Sequence, residues 1–111
     1  HPDLLAYSVS CAALNQMTRS LAVSFAEKSI RVNAIAIGSV QSANLHDVLI
    51  ADPDLRDAME TATPLGRIAE AQEVAEVAQF LASGSSGFMT GQILTVDGGR
   101  TLIDPLDTPV H

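Results

Sequence analysis

The chain has 111 residues, 47% hydrophobic and 17% charged, a length usual for one domain and a globular rather than disordered composition. Its formal net charge of −7 stands against only six basic residues, Lys28 and five scattered arginines, so nothing is gathered to neutralise phosphates and nucleic acid is excluded as a partner. One cysteine, Cys11, allows no internal disulfide, and no apolar run approaches the ~20 residues of a membrane span. His1-Pro2-Asp3 opens neither a charged nor an apolar leader, so the expectation is a cytoplasmic protein with no membrane partner. The first residue is not methionine, and a piece of a longer chain is the favoured reading.

From Ala6 to Lys28 there is neither proline nor glycine, and Leu14, Met17, Leu21 and Phe25 recur at helical spacing, which predicts one long helix. Arg31 to Ile37 is a short, nearly continuous apolar run closed by Gly38, as expected of a strand covered on both faces in a parallel sheet. Gly38 to Asn44 reads as a loop. Asp52-Pro53 is an N-cap followed by proline at the first helical position, so a helix is predicted from Pro53 to about Thr61, broken by Thr63-Pro64 and Gly66. Val74, Val77, Ala78 and Leu81 mark another amphipathic helix over Ala71–Ala82, although no good N-cap precedes it. Ser83 to Gly87 is a turn, Gln92 to Val96 a second buried strand, and Asp97-Gly98-Gly99 its exit. The tail, with Pro105 and Pro109, is predicted irregular. Two strands leave open edges, so this pattern needs further strands from the same chain or from a partner.

Several segments, taken in order, are recognisable together. Tyr7-Ser8-Val9-Ser10-Cys11-Ala12-Ala13-Leu14, Thr18-Arg19-Ser20-Leu21-Ala22, Ile30-Arg31-Val32-Asn33-Ala34-Ile35, Thr63-Pro64-Leu65-Gly66-Arg67, Glu73-Val74-Ala75, Phe80-Leu81-Ala82-Ser83, Thr90-Gly91-Gln92 and Val96-Asp97-Gly98-Gly99 resemble the short-chain dehydrogenase/reductase family. The resemblance covers nearly the whole chain to Gly99. It implies an α/β fold, namely the C-terminal portion of a doubly wound Rossmann-like parallel sheet with the N-terminal nucleotide-binding half absent. Residues 1–99 would form that part of the domain and residues 100–111 an irregular tail. The implied cofactor is NAD or NADP, and the implied partner is a small-molecule carbonyl or alcohol. The family's Gly-rich phosphate loop and its catalytic serine have no counterpart here.

The resemblance makes Tyr7 the catalytic general acid/base, giving or taking the proton of the substrate oxygen, and also a cofactor contact. A free tyrosine has a pKa of about 10, and the family lowers it with a lysine one helical turn on, which also holds the nicotinamide ribose. That position is Cys11. A thiol is neutral or anionic, so it cannot supply the missing positive charge, and Arg19 lies about 18 Å along the helix axis. After the first strand the family usually carries Pro-Gly near the nicotinamide, where this chain has Ile37-Gly38, losing the fixed φ of proline. By the same resemblance Ile37, Gly38, Val40 and Ser42 would meet the cofactor, with Gly38 allowing close backbone approach and the Ser42 hydroxyl serving where threonine is frequent. Ala43 to Leu65 corresponds to the family's variable substrate-binding region.

Each feature has a plainer reading. Cys11 is most simply a small half-buried side chain, and the face of Val74, Val77 and Leu81 is more simply core than ligand groove. His1, His46 and His111 lack metal-ligand spacing, so no metal is expected. The family's matching helix and strand pack between subunits, which implies a homo-oligomer, dimer or tetramer. Two functions follow. The first is an NAD(P)-dependent oxidoreductase, incomplete and inactive as this chain alone. The second is a non-catalytic, degenerate subunit or fragment that keeps oligomer contacts and at most weak nucleotide binding.

Overall fold

The computed structural model of the chain describes residues 4–102. Helix α1 (Leu5–Phe25) continues into one 3-10 turn, Ala26–Lys28, and ends where Ser29 takes a left-handed conformation at φ 56°. There Ile30 N–H donates to Phe25 O and Ser29 N–H to Ala26 O. These crossed bonds occupy carbonyls that the helix end would otherwise leave free, with serine in the place glycine usually takes. Strand β1 is Ala34–Ile37, β2 Val40–Gln41, helix α2 Ala43–Ala51 and α3 Pro53–Thr61. Strand β3 (Ala69–Glu70) leads into α4 (Ala71–Ala82), and β4 is Ile93–Val96.

Two two-stranded sheets result, β1 with β4 and β2 with β3. Ala34 N–H donates to Gln92 O and Gly38 N–H to Val96 O, an advance in step along both chains that marks a parallel pair. The pair β2–β3 is also parallel, with Val40 opposite Ala69 and Gln41 opposite Glu70. The chain divides into two compact units, one of residues 1–35 and 78–94, the other of residues 36–77 and 95–111.

In the first unit the buried positions of α1 are Thr18 and Ala22, while of the apolar residues whose spacing marked the helix Leu21 is half-buried and Leu14 and Met17 are 52% and 51% exposed. The reason is close approach. A Cβ on Gly91 would lie 3.3 Å from Ala22 Cβ, so the helix rests on this segment through small residues, while Thr18 satisfies its hydroxyl on Leu14 O at 2.9 Å. β1 begins at Ala34 rather than Arg31 because the preceding residues bond to the turn after α4. Val32 N–H donates to Thr90 Oγ1, Asn33 Nδ2 to Met89 O, and Arg31 Nη1 to the buried Ser86 Oγ at 3.0 Å. Along β1, whose last two residues belong to the second unit, Ala34, Ile35 and Ala36 are half-buried and Ile37 is exposed, so the strand is not covered on both faces by the described residues.

Helix α3 of the second unit and helix α4, whose residues from Ala78 on belong to the first, have the bounds expected of them, whereas the expected loop Gly38–Asn44 contains β2 and the start of α2. Ser42, extended at φ −95° and ψ 169°, caps α2 by accepting Leu45 N–H at 3.2 Å. Strand β3, two residues long, left no pattern to read. Leu49 and Ile68 are the buried apolar side chains of this unit, Val74 and Val77 of α4 are half-buried, and so is Leu81 in the part of α4 that belongs to the first unit. Arg100–Leu102 form a 3-10 turn, and the rest of the predicted tail, with Pro105 and Pro109, lies outside the described residues.

Candidate active site

Tyr7 stands in the first turn of α1, 65% exposed, with its carbonyl accepting the Ser10 hydroxyl at 2.7 Å. Cys11 follows one turn later and is exposed rather than half-buried. The small inward-facing residues of α1 lie farther along the helix, at Thr18 and Ala22, and leave this turn uncovered by the described residues.

Ile37, Gly38, Val40 and Ser42 belong to the second unit and share one short segment running from β1 through β2 to the cap of α2. Gly38 is confined by the chain itself. A Cβ there would sit 2.8 Å from both Cα and Cβ of Asp97, closer than side chains tolerate. The glycine is therefore needed for the exit of β4, independently of any cofactor. Val40 is a half-buried β2 residue opposite Ala69. The Ser42 oxygen is already engaged as a helix cap, which leaves its O–H free to donate. On the following turn, His46 Nδ1 meets the side-chain amide of Gln41.

Asp97, read from the sequence only as part of the strand exit, converges on this segment together with Arg100 and Thr101, which no sequence pattern singled out. The Asp97 carboxylate accepts Gly99 N–H at 2.9 Å, Thr101 N–H at 3.0 Å and the Thr101 hydroxyl at 2.7 Å. The Thr101 hydroxyl, then the Thr101 and Gly99 amides, hold the Asp97 carboxyl below its ordinary value of 3.8, against a smaller opposing effect of desolvation. The turn so closed presents Arg100, whose Nη1 donates to Ser39 Oγ at 2.7 Å. The Asp-Gly-Gly-x-Thr spacing could have revealed the carboxylate cap, but Ser39 and Arg100 are 61 residues apart and no local pattern links them. An open cleft of about 370 Å³ is lined by Ile37, Gly38, Ser39, Asp97, Arg100 and Thr101. A second cleft of about 420 Å³ in this unit is lined by Thr63, Leu65, Arg67 and Thr95 among others, with Arg67 paired to Glu73 at 2.8 Å.

Among the described residues no three His, Cys, Asp or Glu side chains gather as a metal site, and no helix is long and apolar enough to cross a membrane.

A family model described as enoyl-(acyl carrier protein) reductase matches residues 1–101. The short-chain dehydrogenase anuF of Penicillium roqueforti is 40% identical over 101 residues, covering 91% of this chain and 37% of that protein. A short-chain dehydrogenase family protein from Francisella tularensis superposes with a TM-score of 0.81 at 36% identity, over 93% of this chain and 46% of that one. A gluconate 5-dehydrogenase from Burkholderia cenocepacia, solved with NADP and tartrate, gives 0.80 at 32% identity, over 90% and 39%. The chain thus spans less than half the length of these relatives. With its motifs in family order and a fold shared at this level, the chain belongs to the short-chain dehydrogenase/reductase family.

Proposed function

We propose that the chain forms the substrate- and nicotinamide-side part of an NAD(P)-dependent oxidoreductase acting on a small carbonyl or alcohol. It would be the C-terminal portion of a doubly wound sheet over residues 1–99, with the phosphate-binding Gly-rich segment lying outside these residues. The four short strands in two separate pairs support this, since each pair leaves edges that a complete sheet would fill. The observation that carries the reading is the exposed Tyr7 phenol on α1, within a family motif order that runs to Gly99.

The residues suit the nicotinamide end of the dinucleotide. The cleft at Ile37 and Gly38 is open, Val40 borders the same segment, and Ser42 offers an O–H donor at the N-terminus of α2, where backbone N–H groups favour phosphate oxygens. When bound, the dinucleotide supplies the hydride acceptor or donor. The Tyr7 hydroxyl gives or takes the proton at the substrate oxygen. Cys11, on the same helical face, brings no positive charge to assist it. The segment from α2 to Leu65 would shape substrate choice.

Cys11 also favours a second reading, a subunit that binds dinucleotide weakly, keeps its oligomer contacts and does not turn over. Single-turnover hydride transfer in the full-length protein, with NADH and with NADPH, separates the two. If Tyr7 works as a general acid/base, Cys11→Lys accelerates transfer by about a hundredfold or more. Equal rates defeat the role assigned to this position, and bound dinucleotide with no transfer in either protein supports the second reading.

A further inference from the structure

The segment from Ile37 to Ser42 lacks a proline, and its path is held by contacts from elsewhere in the second unit. Gly38 N–H donates to Val96 O at 3.0 Å, and Asp97 occupies the space that a Cβ on Gly38 would need. The Ser39 carbonyl accepts Ala69 N–H at 3.1 Å. The third hold is the side-chain bond from Arg100 to Ser39. Arg100 is itself fixed at the backbone, because its N–H donates to Asp97 O at 3.2 Å and Leu102 N–H donates to Gly99 O at 2.9 Å, while the Asp97 carboxylate grips Gly99 and Thr101 on either side. Gly98 and Gly99, at φ 62° and 89°, let the chain turn back toward the loop. The guanidinium is thus delivered from the end of β4, the strand that also confines Gly38.

We infer that Arg100 is a positioning residue for the nicotinamide-facing loop: through Ser39 it fixes the loop path that a proline at position 37 would otherwise fix. This rests on the reading of that loop as the cofactor's. A charge-assisted bond on an exposed loop contributes little to global folding, because both groups return to water when the chain unfolds. Its effect is local, restricting a flexible segment before ligand arrives, which improves binding by lowering the ordering cost.

The test uses the full-length protein with Arg100→Ala, Ser39→Ala, the double variant, Arg100→Lys, and Ile37→Pro added to Arg100→Ala. Amide exchange at residues 38–42 is measured without dinucleotide, and the Kd for NADH and NADPH by nicotinamide fluorescence. Each alanine variant is expected to speed exchange in the loop and weaken dinucleotide binding about threefold to tenfold, with the double variant no worse than either. The melting temperature should move by less than about 2 °C. Arg100→Lys restores part of the affinity. Ile37→Pro also restores it, since Ala34 and Gly38 donate toward β4 and the alternation of the strand puts the Ile37 N–H on the opposite edge, where proline removes no bond to β4. Unchanged exchange in Arg100→Ala, or faster exchange with unchanged Kd, overturns the inference alone. A wild-type protein that binds neither dinucleotide overturns the proposed function and, with it, the cofactor role given to the loop, while the exchange data still report whether Arg100 holds it.

Discussion

Asp97 shows how one side chain can terminate a strand and build the next turn. Its carboxylate satisfies two backbone amides and a hydroxyl, all of which favour the ionised form. Its folded pKa is therefore depressed, so its contribution to stability is complete above the unfolded value near 3.8 and is lost as pH falls through the lower folded value. Asp97→Asn should lower the melting temperature at pH 7, and the gap from wild type should shrink as pH drops below about 4. A gap constant down to pH 2.5 would show that the charge is not what matters. The neighbouring Gly38 carries a related lesson. Its family position suggested cofactor approach, yet the backbone of Asp97 already forbids a side chain there. Cys11 could be located from its spacing to Tyr7, but its exposure depends on which face of α1 meets the rest of its unit, and spacing alone does not say.

Among the elements, the corner between α2 and α3 turns on Asp52. Its N–H closes α2 on Val48 O at 3.0 Å, and its carboxylate opens α3 by accepting Leu55 N–H at 3.1 Å, with Pro53 pre-set for the first helical turn. Asp52→Ala should cost about 1 kcal/mol of stability, with denaturant midpoints as the measurement; Asp52→Ser should recover most of it. α3 was legible because its start signal is local. α2 has a comparable signal in Ser42, but the reading of Gly38–Asn44 as a loop and the absence of proline at its first position obscured it. In α1 the apolar periodicity identified the helix but left its most buried positions undecided, since Gly91 favours contact with Ala22 over larger side chains.

For the whole molecule, the small number of buried apolar side chains among the described residues, Ala22, Leu49 and Ile68, is decisive. Conformational entropy of roughly 1–2 kcal/mol per residue must be offset mainly by apolar burial, and so few buried side chains offset little of it. These 111 residues expressed alone are expected to melt broadly or to associate. A sharp thermal transition at the same temperature across a wide concentration range, from monomeric material, would contradict this.

By itself the amino-acid sequence determined the family, the order of the main helices and strands, and the departure of Cys11 from the expected lysine. These are carried by residue identity and by short-range periodicity, which act within a few positions. Tertiary structure alone decided which face of α1 is buried, that β2 and β3 pair, and that Asp97 and Arg100 converge on the Gly38–Ser39 turn. Those outcomes depend on backbone approach and hydrogen bonds between residues far apart in the chain, whose free energies arise only once the strands have been brought side by side.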